Sequence, residues 1–134
     1  FAGSPPLAFT FGLGGLLVFP LRKGAATVLL DRAGCLRKLS ADGHAGYGGK
    51  GQDIVCAAAT AVVRTACRVL ERAPGFMSEG AAPREGTLRF EVTGFPQERR
   101  DWFSGVTEYL LCALSDLAEE FPDRVRLTVR SMER

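Results

Sequence analysis

Residues 25–72 read AATVLLDRAGCLRKLSADGHAGYGGKGQDIVCAAATAVVRTACRVLER, and the hydrophobic period changes within this stretch. At its start Ala26, Val28 and Leu30 alternate with Thr27 and Leu29, which predicts a short strand. Asp31-Arg32-Ala33-Gly34 reads as a hairpin turn closing on glycine, and a second strand follows over 35–41 until Asp42-Gly43 ends it. After a glycine-dense loop, Ile54, Ala58, Ala61, Val62, Thr65 and Val69 recur at helical spacing. That recurrence predicts a helix over 53–72 whose stripe faces the core. Pro74-Gly75 stops it.

Working outward, the segment up to residue 85 reads as loop, with room for one weak strand. Leu88, Phe90 and Val92 then alternate with Arg89 and Glu91 as a half-buried strand over 87–93. A second helix is expected over 97–121, burying Trp102, Val106, Tyr109, Ala113 and Leu117, and Pro122-Asp123 ends it. The last strand covers 124–130, with Val125, Leu127 and Val129 inward and Arg124, Arg126, Thr128 and Arg130 outward. The expected fold class is α/β (α+β): a mixed β-sheet with two amphipathic helices packed on one face, in the order β-β-α-β-α-β.

Composition agrees with one ordinary globular domain. The 134 residues are 46% hydrophobic and 24% charged, which excludes disordered, collagenous and coiled-coil chains. A net charge of +2 is too small to make nucleic acid the main ligand, and no apolar run is long enough for a membrane helix. Residues 1–20 are uncharged and rich in Phe, Leu, Gly and Pro. Arg22 and Lys23 follow this segment, whereas a signal peptide would place basic residues ahead of it. It is expected to be a loosely ordered extension, 1–22, ahead of a single domain over 23–134. Cys35, Cys56, Cys67 and Cys112 contain no CxxC pair, and with a single histidine a zinc site would need mostly thiolates, for which this scattered spacing gives no paired knuckles, so neither metal nor cofactor is expected. Cys35, Cys67 and Cys112 read as small buried hydrophobes.

The stretch 43–61, GHAGYGGKGQDIVCAAATA, carries the chemistry. It places the only histidine, His44, 12 positions before Cys56, with glycines at 43, 46, 48, 49 and 51 between or beside them. Such a loop can fold back and bring an imidazole to a sulfur. With Asp53 as N-cap, Cys56 becomes the third helical residue, where free amides and the helix dipole favour a thiolate and could hold an oxyanion. The carboxylate of Asp53 works against that. Spacing alone equally allows a buried structural cysteine beside a surface histidine. An anion site at the helix start is a third reading, but Gly51 after Lys50 lacks the Ser or Thr of a phosphate-binding loop.

This stretch resembles the signature of the Prp family of ribosomal-processing cysteine proteases. The match rests on Gly43, His44, Ala45, Gly46, Tyr47, Gly51, Asp53, Ile54, Cys56, Ala57 and Ala58, with Thr60 where the family usually has serine. The resemblance implies a small cytoplasmic endopeptidase, usually a homodimer, while charge and hydropathy give no expectation of nucleic-acid or membrane binding. Its substrate would be ribosomal protein L twenty-seven, trimmed of an N-terminal extension after a Phe-rich stretch. It implies Cys56 as nucleophile and His44 as general base, with Asp53 and Thr60 in support by capping and hydrogen bonding. The loop over 43–52, with Gly43, Ala45, Gly46, Tyr47 and Gly51, would close over bound peptide. The alternative from another class is a non-catalytic dimeric module on the ribosome that uses the basic strand from Arg124 to Arg130.

Overall fold

The computed structural model describes residues 24–42, 50–83 and 87–132. The strands are β1 (Gly24–Leu30), β2 (Leu36–Asp42), β3 (Met77–Ala81), β4 (Thr87–Gly94) and β5 (Val125–Ser131). The helices are α1 (Lys50–Arg72) and α2 (Arg100–Glu120), the latter preceded by one 3-10 turn, Gln97–Arg99. The fold class is as expected, and β3 is the weak strand for which the sequence left room. The extension over 1–22 lies outside the described residues.

The five strands form one sheet in the order β3-β4-β2-β1-β5, with only the β1–β5 pair parallel. β2 and β4 run in opposite directions, and their helical crossovers lead to opposite edges. Right-handed crossovers under those conditions put both helices on the same face. The register confirms the alternation read from sequence: Val28 opposes Leu39, and Leu39 opposes Phe90. These side chains meet Val63, Leu70, Phe103, Leu110 and Leu114 of the helices in one core.

The β1–β2 turn shows why those four residues stand there. Asp31 accepts hydrogen bonds at Oδ1 from the amides of Ala33 (2.9 Å) and Cys35 (3.0 Å). The Gly34 amide donates to the Asp31 carbonyl at 2.9 Å, and Gly34 adopts φ 86°, the left-handed conformation that favours glycine. Gly75 ends the α1 connection at φ 82°, where an added Cβ would come within 2.6 Å of Pro96 Cγ.

Both helices turn inward a face shifted from the one expected, with Val62 and Val106 of the expected stripes packed against the core as partly buried residues. On α1 the core side is Val55, Val63, Ala66, Cys67 and Leu70, whereas Ile54 is 68% exposed and Val69 39% exposed. The helix is apolar on two sides, and the side with the larger aliphatic groups removes more surface from water when it turns inward. On α2 the buried residues are Phe103, Thr107, Leu110, Leu111 and Leu114. Trp102 and Tyr109 stay exposed, which keeps their polar atoms in contact with water. Thr107 is buried because its Oγ1 accepts the Leu36 amide at 3.1 Å, just past the register shift that ends the β1–β2 ladder. Arg126, expected on a solvated face, is buried within β5.

Candidate active site

Lys50 opens α1, so the helix starts three residues earlier than expected. Two sequence assignments change with it. Asp53 is the fourth helical residue rather than the cap, and Gly51 belongs to the helix rather than to the loop. Lys50 and Gln52 are good helix formers, and they carry the helix backward through Gly51 despite a cost of about 1 kcal/mol there. Cys56 becomes the seventh residue of α1. Only the first four amides of a helix lack an internal acceptor, so the Cys56 amide is committed to the ladder and cannot serve as an oxyanion donor. The helix dipole also fades within the first turn.

Cys56 is half-buried, at the margin of the face that α1 turns to the sheet, while the neighbouring Val55 points into the core. Thr60 follows one helical turn later on the same side and is exposed. The helix therefore brings Cys56 and Thr60 together at its accessible flank. His44, Gly43, Ala45, Gly46 and Tyr47 lie outside the described residues, which resume at Lys50.

Both roots of that loop are defined. On one side Asp42 closes β2, opposite Ala25 of β1 and Thr87 of β4. Arg89 on β4 reaches it with Nη1 at 3.4 Å from Oδ1, and the same Nη1 donates to the Leu88 carbonyl at 3.0 Å. This exposed pair contributes little stability, but it places a charged clasp two residues before His44. Sequence reading missed it. The alternation puts both side chains outward, yet only the register shows that they are near neighbours. Among the described residues, no group of three His, Cys, Asp or Glu side chains is arranged to hold a metal ion.

The four thiols are free and occupy different environments. Cys35 is fully buried, with Sγ 3.8 Å from the Arg100 carbonyl; burial, reinforced by Asp31, pushes its thiol up to about 11. Burial, with a smaller contribution from Glu71, pushes the Cys67 thiol up to about 12. Cys112, expected to be buried, is exposed on α2. Two thiols, Cys56 and Cys112, are thus open to reagent, and Cys35 and Cys67 are closed. Native protein should react quickly with an aromatic disulfide reagent at those two positions and at all four once unfolded. Fast reaction at Cys35 or Cys67 in native protein would contradict this arrangement.

The raised thiols also have a sign for stability. The folded state holds these protons more tightly than the unfolded state does. Their contribution is therefore complete below the ordinary thiol value of 9.0 and is lost as pH rises through about 11 and 12. Urea unfolding above pH 9.0 should show wild type losing stability more steeply than Cys67→Ala. Parallel profiles would refute it.

Against this geometry, comparison with known proteins is decisive at the family level. The sequence profile of the family described as cysteine protease Prp matches residues 25–126, from β1 into β5. The chain belongs to this family. No curated protein shows a significant match. Among solved structures, the chain is similar in fold to SMU.848 from Streptococcus mutans, at 23% identity and TM-score 0.70, covering 82% of this chain and 96% of that one. It is similarly related to the ribosomal processing protease Prp of Staphylococcus aureus, whose structure carries a covalently linked product peptide. That likeness has 21% identity and TM-score 0.65, covering 80% of this chain and 99% of that one. A second structure of the Staphylococcus aureus protease contains a substrate peptide, with 20% identity and TM-score 0.65. Family membership thus assigns the chain to cysteine-type peptidases. No described helix is long and apolar enough to cross a membrane.

Proposed function

We propose that this chain is a cytoplasmic cysteine endopeptidase that removes an N-terminal extension from ribosomal protein L twenty-seven, cutting after a hydrophobic, Phe-rich stretch. One observation carries the reading. Cys56 lies on an accessible helix flank, and that helix begins directly after the loop that holds the chain's only histidine. His44 takes the thiol proton, and the thiolate attacks the scissile carbonyl carbon to form a tetrahedral oxyanion. Protonated His44 then gives its proton to the leaving amine as the carbon–nitrogen bond breaks. Water hydrolyses the remaining thioester and restores the thiol. The Cys56 amide is engaged in the helix ladder and does not supply an oxyanion donor. Thr60 supports the sulfur from one turn away, and Asp53 sits within the first turns of α1 rather than at its cap. Incubating the protein with a Phe-rich extension peptide and weighing the products by mass spectrometry tests the reading.

The burial of Arg126 counts against the alternative of a non-catalytic ribosome-binding module. The basic strand loses its central cation to the interior and keeps only Arg124 and Arg130 within reach of a ligand.

The homodimer implied by the resemblance has a surface on α1. Ile54, Ala58, Ala61, Thr65 and Val69 line the side turned away from the core, small enough for two copies to approach closely across a twofold axis. Ile54→Asp combined with Val69→Asp should convert a dimer into a monomer in sedimentation. An unchanged sedimentation coefficient would remove α1 from the interface.

A further inference from the structure

Cys56 stands at the head of a ridge on α1. Thr60, Arg64, Arg68 and Arg72 follow it at successive intervals of four residues, and residues four apart lie one above another on a helix. Thr60 and all three arginines are exposed. Arg64 lies about 12 Å along the axis from Cys56, and Arg68 about 18 Å. The row drifts by about 40° per step, so it reaches the flank of Ile54 only at Arg72. Arg64 and Arg68 stay on the side that carries the sulfur.

These guanidiniums are uncommitted. Among the described residues the ion pairs join Arg37 to Asp31 and Arg89 to Asp42, and neither Arg64 nor Arg68 takes part in one. Glu71 is the one carboxylate in the second half of α1. Like charges four residues apart repel, so the row costs the helix stability unless something anionic lies over it. A long polyanion is the poorer fit, because α2 lies alongside α1 and exposes Glu108, Asp116, Glu119 and Glu120 with no cation after Arg100. Discrete carboxylates on a peptide that already touches Cys56 avoid that repulsion.

We propose that Arg64 and Arg68 select the substrate, binding acidic side chains of a peptide that runs from Cys56 along this ridge. This rests on the reading of Cys56 as the nucleophile of an endopeptidase. Extended chain advances about 3.3 Å per residue, so the two arginines meet residues about four and about five to six positions from the scissile bond. Contacts that far from the reacting carbonyl are made before and during the reaction alike, so they lower KM and leave kcat unchanged.

The test measures peptide binding by fluorescence anisotropy on the full chain carrying Cys56→Ala, so that no probe is consumed. One probe places glutamates at the fourth and sixth positions after a Phe-Phe pair, and a second places them equally far before it. Each has a version with lysines instead. The expected result is about tenfold tighter binding of one glutamate probe than of its lysine version, the responding probe giving the direction of the chain. Adding Arg64→Glu and Arg68→Glu should reverse that order, which loss of folding cannot do, and about 0.5 M salt should erase most of it. Equal binding of glutamate and lysine probes in both pairs would overturn the proposal, as would an order that the two substitutions leave unchanged. Displacement of the glutamate probe by a short uridine oligonucleotide more readily than by unlabelled peptide would also overturn it, making the ridge a phosphate track. Cleavage is scored separately with Cys56 intact. Charge-ordered binding without cleavage would end the protease reading alone, and cleavage without charge order would end only the role of the arginines.

Discussion

Cys56→Ala leaves no measurable cleavage of a Phe-rich extension peptide, a loss of about ten-thousandfold or more, while unfolding by urea is nearly unchanged. The expectation follows from where the sulfur sits. Cys56 is half-buried at the edge of the packed face of α1, so removing Sγ empties little of the core, whereas Val63 and Leu70 further along the helix carry the packing. His44→Ala should fall almost as far, because it is the only imidazole in the chain and nothing else can replace it as base. The two losses should not add in the double variant, since residues that act on one proton transfer fail as a unit. Thr60→Ala should be milder, and its rescue by Thr60→Ser would separate a hydroxyl contact from simple packing. Substantial cleavage by Cys56→Ala would end the assignment, and cleavage by His44→Ala alone would move the base to another residue.

Phe103→Ala costs about 3–5 kcal/mol and is the most damaging truncation expected in the core. Phe103 has no exposed surface, and its ring stands edge-on to Phe76 at 5.0 Å and to Phe95 at 4.8 Å between centroids. Phe76 also meets Phe95 at 5.7 Å and Trp102 at 5.6 Å, so removing the Phe103 ring leaves Phe76 and Phe95 facing a void within a connected cluster. The cluster fastens the start of α2 to the segments that follow α1 and β4. Phe103→Leu should lose roughly half as much, because an aliphatic side chain refills part of the volume. Urea denaturation of both variants measures the difference. A loss of less than about 1 kcal/mol for Phe103→Ala would mean that the aromatic cluster can collapse around the gap.

The sequence was easiest to read where local rules decide the outcome. The Asp31–Gly34 turn, the strands of β1, β2, β4 and β5, and the stop at Gly75 all follow from residue types acting over a few positions. β3 is harder to see, because Met77–Ala81 contains neither β-branched nor aromatic residues and becomes a strand by pairing with β4. The helix faces were misjudged for a related reason. Alanine and threonine mark a helical period but gain little from burial, so the stripe through Ile54, Ala61 and Thr65 looked like core until Val63 and Leu70 turned inward in its place. The same applies on α2, where Phe103 and Leu114 displace Tyr109 and Trp102.

For the site, residue identity was legible and surroundings were not. The 43–61 stretch by itself singles out Cys56 and His44, because a lone histidine in a glycine loop ahead of a cysteine-bearing helix leaves few other partners. The start of α1 at Lys50, the clasp between Arg89 and Asp42, and the exposure of Cys112 needed the folded chain. So did the burial of Arg126, which removes the middle cation from what reads as a basic strand. Sequence determines which groups are present and their local periodicity. Which apolar face turns inward, and which charges lie beside each other, depends on strand register and on competition for a core that all elements share.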